Sequence, residues 1–246
     1  MFYHLRLGVS SVTSVLRCSL STMSTGKIGV VLSGSGVYDG SEIHEASATL
    51  VALTRAGKTP VVYSLDKDQA HVIDHSKGIP IEGQTRNVLV ESSRIARAAP
   101  LDLKSLELGD VDALIFPGGF GAAKNLSDFA FNGDKLTLDP VVESKIKDFH
   151  SNGKPLAFCC IAPILAAKTI PGVSITLGKR GAGWPHEGSL DAANSLGANV
   201  VEKEVTEVCV DEKNKVVSSP AFMYDGKFHE VHDSVTNMVN ELVKLL

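Results

Sequence analysis

Short apolar runs alternate with amphipathic stretches from residue 27 onward, and this alternation restricts the possible folds more than any other feature of the chain. Each run is apolar at consecutive positions and is bounded by Gly, Pro or Asp; the runs lie at residues 27–32, 59–65, 112–116 and 154–159. Uninterrupted apolar runs of this length are typical of parallel strands that helices cover on both faces. We therefore predict a strand at each of these positions.

The stretches between the runs have the periodicity of amphipathic helices. Within residues 41–56 the apolar residues recur at intervals of three or four, at Ile43, Ala46, Leu50 and Leu53. Similar patterns predict helices at residues 86–98, 141–151, 161–169, 190–196 and 231–246. Residues 205–210 and 215–219 flank a polar turn and predict a hairpin. Residues 27–246 thus predict a single α/β domain: a doubly wound, mostly parallel sheet with a C-terminal hairpin.

The first 26 residues have a different composition from the rest of the chain. They contain no Asp or Glu, six Ser, and two arginines, Arg6 and Arg17. An acid-free segment that is rich in Ser and contains Arg is typical of an organellar transit peptide. We predict import into the mitochondrial matrix, with cleavage between Arg17 and Lys27; the alternative is a leader without a function.

Overall composition excludes several classes of protein. The chain has 246 residues, of which 43% are hydrophobic, and its net charge of −4 gives no basic surface for nucleic acid. No apolar run reaches the roughly 18 residues of a membrane span. Four cysteines are too few for a disulfide scaffold of this length, so we expect a reducing compartment in which the thiols are free. We expect no metal and no cofactor.

The loop after the first predicted strand, residues 33–40, is rich in glycine. Its glycines miss the dinucleotide-binding spacing because Asp39 stands where the third glycine should be. A nucleotide site, with Asp66 on the ribose, remains an alternative. The pattern favours a tight turn that caps the next helix, with Asp39 as N-cap and Glu42 three residues later. Glu45 lies near the buried stripe of that helix.

Two more strand ends carry candidate functional groups. After the strand at 112–116, Gly118 and Gly119 let backbone N–H groups approach a ligand, although a simple turn would also need them. After the strand at 154–159, Cys160 lies on a tight strand-to-helix turn, the position of the nucleophile in an elbow motif. We expect Cys159 to point into the fold and the helix N-terminus to lower the pKa of Cys160. The N–H groups of Gly119 and Ile161 would form an oxyanion hole.

Four segments together resemble a known family: residues 33–46 (SGSGVYDGSEIHEA), 85–98 (TRNVLVESSRIARA), 116–126 (FPGGFGAAKNL) and 160–163 (CIAP). They resemble the ElbB family of glyoxalase-like proteins, within the ThiJ/PfpI, or class I glutamine amidotransferase-like, superfamily. With its leader, the chain is similar to the mitochondrial animal members. The resemblance implies a flavodoxin-like sandwich, a homodimer, and conversion of glyoxal to glycolic acid without glutathione.

Carried over residue by residue, the resemblance makes Cys160 the nucleophile and Glu45 the acid–base group. We predict that Gly118, Ser35, Gly36 and His186 line the substrate pocket and that a small aldehyde is the substrate. Ser35 stands where many relatives are expected to have Cys. The histidine of the superfamily's hydrolases is missing about 20 residues after the elbow, and His186 is the nearby substitute. This disfavours an amidotransferase-like subunit, whereas a redox sensor or ligand-binding protein without activity remains the main alternative.

Overall fold

The computed structural model describes residues 26–246, so nearly all of the predicted transit peptide lies outside the described residues. The strands are β1 (Lys27–Leu32), β2 (Thr59–Ser64), β3 (Ile73–Asp74), β4 (Ile79–Pro80), β5 (Leu101–Asp102), β6 (Ala113–Phe116), β7 (Leu156–Cys159), β8 (Ser174–Ile175), β9 (Asn199–Val200), β10 (Cys209–Asp211) and β11 (Val216–Ser219). The helices are α1 (Ile43–Arg55), α2 (Val88–Ala96), α3 (Phe120–Lys124), α4 (Phe129–Asn132), α5 (Pro140–Ser151), α6 (Pro163–Thr169), α7 (Gly188–Ser195) and α8 (Phe228–Lys244).

Seven of these strands form one sheet in the order β10-β11-β7-β6-β1-β2-β5. Every neighbouring pair is parallel except β10 and β11, which form the C-terminal hairpin. The predicted doubly wound, mostly parallel sheet is therefore confirmed. This order also makes β1, β6 and β7 neighbours, so the loops at their carboxyl ends meet at one edge of the sheet.

The centre of the sheet is buried on both faces. All four residues of β6 and all four of β7 are buried, although successive side chains in a strand point to opposite faces. The rings of Phe116 and Phe158, which are paired across these strands, stack with their centroids 5.0 Å apart. Helix α8 packs against α1, β7 and β11, while α5 packs against α6 and β7. This two-sided cover explains why both strands read as continuous apolar runs.

The predicted elements are present, but several begin or end elsewhere. Helix α6 begins at Pro163 rather than at residue 161, and the first hairpin strand is reduced to Cys209–Asp211. The two-residue strands β3, β4, β5, β8 and β9 have too few residues to produce a pattern in the sequence. None of the helices within residues 26–246 combines the length and the apolar character needed to cross a membrane.

The capping of α1 differs from the prediction. Glu42 itself is the N-cap, and its carboxylate accepts a hydrogen bond of 2.7 Å from the N–H of Glu45. Asp39, which the sequence predicts as N-cap, is buried and instead accepts a hydrogen bond of 2.8 Å from the N–H of Ile73. The prediction was wrong because the loop before α1 has a long-range partner that local spacing does not reveal.

Candidate active site

Cys160 occupies the turn between β7 and α6 in a conformation that is uncommon for a residue with a side chain. Its φ is +58°, in the left-handed region, and its N–H donates to the carbonyl of Ser219 at 3.0 Å. A nucleophile held on such a strained turn projects from the edge of the sheet. Cys160 remains 8% exposed, whereas Cys159 is fully buried, as predicted.

Glu45, in the first turn of α1, is fully buried beside this thiol. Its Oε2 accepts a hydrogen bond of 3.0 Å from the N–H of Gly118, and its Oε1 accepts one of 3.2 Å from the N–H of Phe222. The thiol of Cys159 is a third donor, with Sγ 3.8 Å from Oε2. The carboxyl group is therefore fixed by groups from three separate parts of the chain.

Burial changes the acidity of both groups. Burial raises the pKa of Glu45 from 4.5 to about 8, and the negative charge of Glu42 adds to this effect. Burial also raises the pKa of the Cys160 thiol well above its ordinary value, and the Glu45 carboxylate raises it further. The predicted lowering of this pKa by the helix N-terminus is wrong, because desolvation and a neighbouring acid outweigh it.

Two backbone N–H groups partly oppose that increase. The N–H groups of Gly119 and Ile161 face the Cys160 sulfur and lower its pKa. These are the donors that the sequence predicts for the oxyanion hole, and the structure brings both to the thiol. The resulting site contains a thiol, a carboxyl group with a raised pKa and two N–H donors, which suits proton transfer coupled to nucleophilic addition.

Gly118 lies behind the thiol rather than in front of it. A Cβ at Gly118 would lie 2.4 Å from the Cβ of Cys160 and 2.6 Å from Oε2 of Glu45, so only glycine lets the two functional groups come this close. Gly118 is absent from the lining of the cavity in front of Cys160. It therefore positions Glu45, whereas the sequence predicts it as a pocket residue.

The loop residues Ser35 and Gly36 are also outside the cavity lining. Ser35 forms an isolated bridge with Ser41, and the N–H of Gly36 donates to the carbonyl of Ser41 at 2.9 Å. A Cβ at Gly36 would lie 2.6 Å from the ring of His75. The loop is thus a tight turn, and of the predicted pocket residues only His186 lines the cavity.

A cavity of about 150 Å³ opens in front of Cys160. Its wall is mostly apolar and contains Val37, Phe120, Phe129, Ile161, Phe222 and Met223. Phe129 and Ala130 come from the segment between α3 and α5, so this segment covers one side of the cavity. No group of three or more His, Cys, Asp or Glu side chains that could hold a metal ion occurs within residues 26–246.

None of the histidines in the described part of the chain is hydrogen-bonded to Cys160 or Glu45. His44 lies on α1 next to Glu45, but its Nδ1 is 2.8 Å from Oε1 of Glu42 and its ring packs against Phe228. The site consequently differs from hydrolases in which an imidazole activates the nucleophile.

The contacts of Asp66 do not support the alternative of a nucleotide-binding site. Its Oδ1 accepts a hydrogen bond of 2.7 Å from the side-chain amide of Asn87, which also caps α2. Arg86 forms an ion pair with Glu91 at 3.3 Å. This stretch is a salt-bridged helix start, and it does not reach the cavity.

Comparison with known proteins identifies the family. The model of the DJ-1/PfpI family matches residues 36–229, which include Glu45, the glycines after β6 and Cys160. The chain belongs to the DJ-1/PfpI family. Its sheet order and two-sided helical cover are the flavodoxin-like fold of that family.

Proteins similar in sequence to the chain include mitochondrial proteins of animals. The chain is 51% identical over 222 residues to the glutamine amidotransferase-like class 1 domain-containing protein 3, mitochondrial, of Homo sapiens, covering 89% of this chain and 83% of that protein. It is 37% identical over 230 residues to the ES1 protein, mitochondrial, of Danio rerio, and the match covers 89% of this chain and 85% of that protein.

Solved structures agree on the fold. An isoprenoid biosynthesis protein with an amidotransferase-like domain from Ehrlichia chaffeensis has a TM-score of 0.80 and 30% identity, covering 89% of this chain and all of that one. A DJ-1 superfamily protein from Salmonella typhimurium, solved as a cysteine-to-alanine mutant, has a TM-score of 0.55 and 16% identity. The match covers 89% of this chain and 91% of that one. At that identity the second likeness concerns the fold alone.

Proposed function

We propose that this protein is a mitochondrial glyoxalase-type enzyme that converts glyoxal, or a similar small 2-oxoaldehyde, to a 2-hydroxy acid without glutathione. The observation that carries the proposal is the pairing of a cavity-facing thiol, Cys160, with a buried carboxyl group, Glu45, whose pKa is about 8. A base with a pKa near the working pH is effective in moving a proton to and from carbon.

In the first step the Cys160 sulfur adds to an aldehyde carbon of the substrate. Glu45 takes the thiol proton and passes it to the aldehyde oxygen, so that a hemithioacetal forms with no net change in charge. The N–H groups of Gly119 and Ile161 lie beside the sulfur and stabilise the negative charge as it moves to the oxygen.

In the second step Glu45 moves a proton between carbons. It removes the proton of the carbon bonded to sulfur, which gives an enediolate, and it returns this proton to the neighbouring carbon, while the hydroxyl proton moves to the oxygen of that carbon. The product is a thioester of the 2-hydroxy acid. Water then cleaves the thioester, which releases the acid and restores the Cys160 thiol. In total, one aldehyde molecule and one water molecule give one hydroxy acid molecule.

A mitochondrial location is supported by the names of the relatives and by the composition of residues 1–26. A homodimer, which the family resemblance implies, stays a prediction. Glutamine hydrolysis is a weaker candidate, because no imidazole in the described residues is bonded to Cys160 to activate it.

The test measures glycolate formed from glyoxal by the purified protein with no glutathione present. We expect turnover in the wild type, background rates in Cys160→Ala, and a loss of at least about 100-fold in Glu45→Gln, the size typical of a missing acid–base group. Cys209→Ala is the matched control, because Cys209 is a buried cysteine in β10 away from the cavity. Equal rates in the wild type and Cys160→Ala would contradict the proposal and favour a ligand-binding or redox-sensing role.

A further inference from the structure

The cavity in front of Cys160 is larger and less polar than glyoxal requires. Glyoxal consists only of its carbonyl groups, which the thiol, Glu45 and the two N–H donors would engage. The remaining wall is mostly apolar, with Glu42, His186 and Ser189 as its polar side chains, and the cavity volume is about 150 Å³. An apolar cavity of about this size binds benzene in another protein, so the space here is sufficient for an aromatic ring.

The charged groups that line the cavity disfavour an anionic substrate. Lysine and arginine are absent from its lining in the part of the chain that the structure describes. Glu42 does line it, and its carboxylate is held by His44 at 2.8 Å and by the N–H of Glu45 at 2.7 Å. A carboxylate or phosphate on the substrate would meet this negative charge, and no lysine or arginine of the described chain lines the cavity to compensate it.

We propose that the substrate is an uncharged 2-oxoaldehyde with an aryl or branched alkyl substituent, and that the apolar wall formed by Phe120, Phe129, Ile161 and Phe222 binds this substituent. The inference rests on the proposed function and names the substrate class of the same site. The terminal aldehyde carbon binds to Cys160, the ketone carbon receives the proton from Glu45, and the substituent on the ketone carbon lies along the apolar wall.

The wall offers a position where the cavity can be narrowed without disturbing the core. Ala130 lines the cavity from α4 and is exposed, so a larger side chain fits there without overpacking. Asn132 is exposed on the same helix but does not line the cavity. Ala130→Leu and Asn132→Leu therefore form a matched pair that adds the same side chain inside and outside the cavity.

The first experiment compares phenylglyoxal with glyoxal as substrates of the full-length protein. We expect kcat/KM to be at least about tenfold higher for phenylglyoxal, because even one methylene in an apolar pocket changes kcat/KM by about 10–200-fold. Ala130→Leu should reduce the ratio of the two values by about tenfold, and Asn132→Leu should leave the ratio unchanged. A wild-type ratio of one or below would overturn the inference.

The second experiment separates this inference from the proposed function, because it needs no turnover. The rate at which iodoacetamide alkylates Cys160 is measured with acetophenone or with acetone, which lack the aldehyde. We expect acetophenone to protect Cys160 at least about tenfold more strongly, and Ala130→Leu to remove the difference. Protection without turnover would contradict the glyoxalase function but support the apolar site. Equal protection by both ketones would overturn the inference even if glyoxal were converted.

Discussion

Glu45 has to be neutral for part of the reaction cycle and charged for the rest, and its surroundings make both states accessible. Full burial disfavours the charge, while the N–H groups of Gly118 and Phe222 stabilise it. The balance sets a pKa of about 8, well above the 4.5 of an ordinary glutamate. This shift couples the catalytic group to the stability of the fold.

Between pH 4.5 and pH 8 the folded state holds a proton on Glu45 that the unfolded state has already released. Raising the pH through this window must therefore favour unfolding, by at most about 1.4 kcal/mol per pH unit for one proton. We expect the free energy of unfolding, measured by urea denaturation from pH 5 to pH 8, to fall more steeply in the wild type than in Glu45→Gln. Glu212→Gln changes an exposed residue and should keep the wild-type slope. Parallel slopes in the wild type and Glu45→Gln would contradict the shift.

At the scale of elements, the site is built where the loops after β1, β6 and β7 meet. Asn125, the residue after α3, connects the loop after β1 to the loop that contains Ala70. Its Nδ2 donates to the carbonyls of Ser33 and Asp39, both at 2.9 Å, and its Oδ1 accepts from the N–H of Ala70 at 2.9 Å. One buried side chain thus satisfies three backbone groups from two loops.

Asn125→Leu would keep the approximate size of the side chain but leave those three backbone groups without partners. Each unsatisfied buried group costs about 1–3 kcal/mol, so we expect a loss of at least about 2 kcal/mol in the free energy of unfolding. Asn194→Leu is the control, because Asn194 is exposed in α7, and it should change stability by less than about 0.5 kcal/mol. Urea denaturation of the wild type and the two variants gives the free energies of unfolding. Similar midpoints for all three would show that the hydrogen bonds of Asn125 do not stabilise the fold.

At the scale of the whole molecule, most buried apolar residues of the described chain belong to a single core. Met238 on α8 and Trp184, the only tryptophan in the chain, both belong to this core although they lie in different parts of the fold. The Trp184 ring packs against Tyr224 with centroids 4.8 Å apart. Because α8 also covers α1 and β7, it links the core to the two elements that carry Glu45 and lead into Cys160.

Met238→Ala should therefore weaken the entire fold and not only α8. Met238 is fully buried, and replacing such a residue by Ala costs about 2–5 kcal/mol. We expect far-UV circular dichroism and Trp184 fluorescence to report one coincident unfolding transition, displaced equally in this variant. Asn240→Ala alters an exposed position of the same helix and should leave the transition in place. A displaced helical signal with unchanged fluorescence would mean that α8 unfolds independently.

Much of this architecture could be predicted from the amino-acid sequence because its causes are local. The apolar runs of β1, β6 and β7 and the helical periodicity of α1 depend on neighbouring residues, and so does the placement of Cys160 on a turn after a buried strand. Glu45 is indicated by the resemblance to a family motif and by its place near the buried stripe of α1. Local spacing predicts the wrong acid as the cap of α1, since Asp39 has its partner in a different loop and Glu42 is the N-cap.

The chemistry of the site was decided by contacts between residues far apart in the chain. The N–H that holds Oε1 of Glu45 belongs to Phe222, which lies 177 positions away, and no spacing in the sequence marks it. The elevated pKa of Cys160 likewise reverses the expectation from its helix, because desolvation depends on everything packed around the thiol. Local patterns determine which elements form and which residues lie at their ends, whereas burial and long-range hydrogen bonds arise only when the elements pack together.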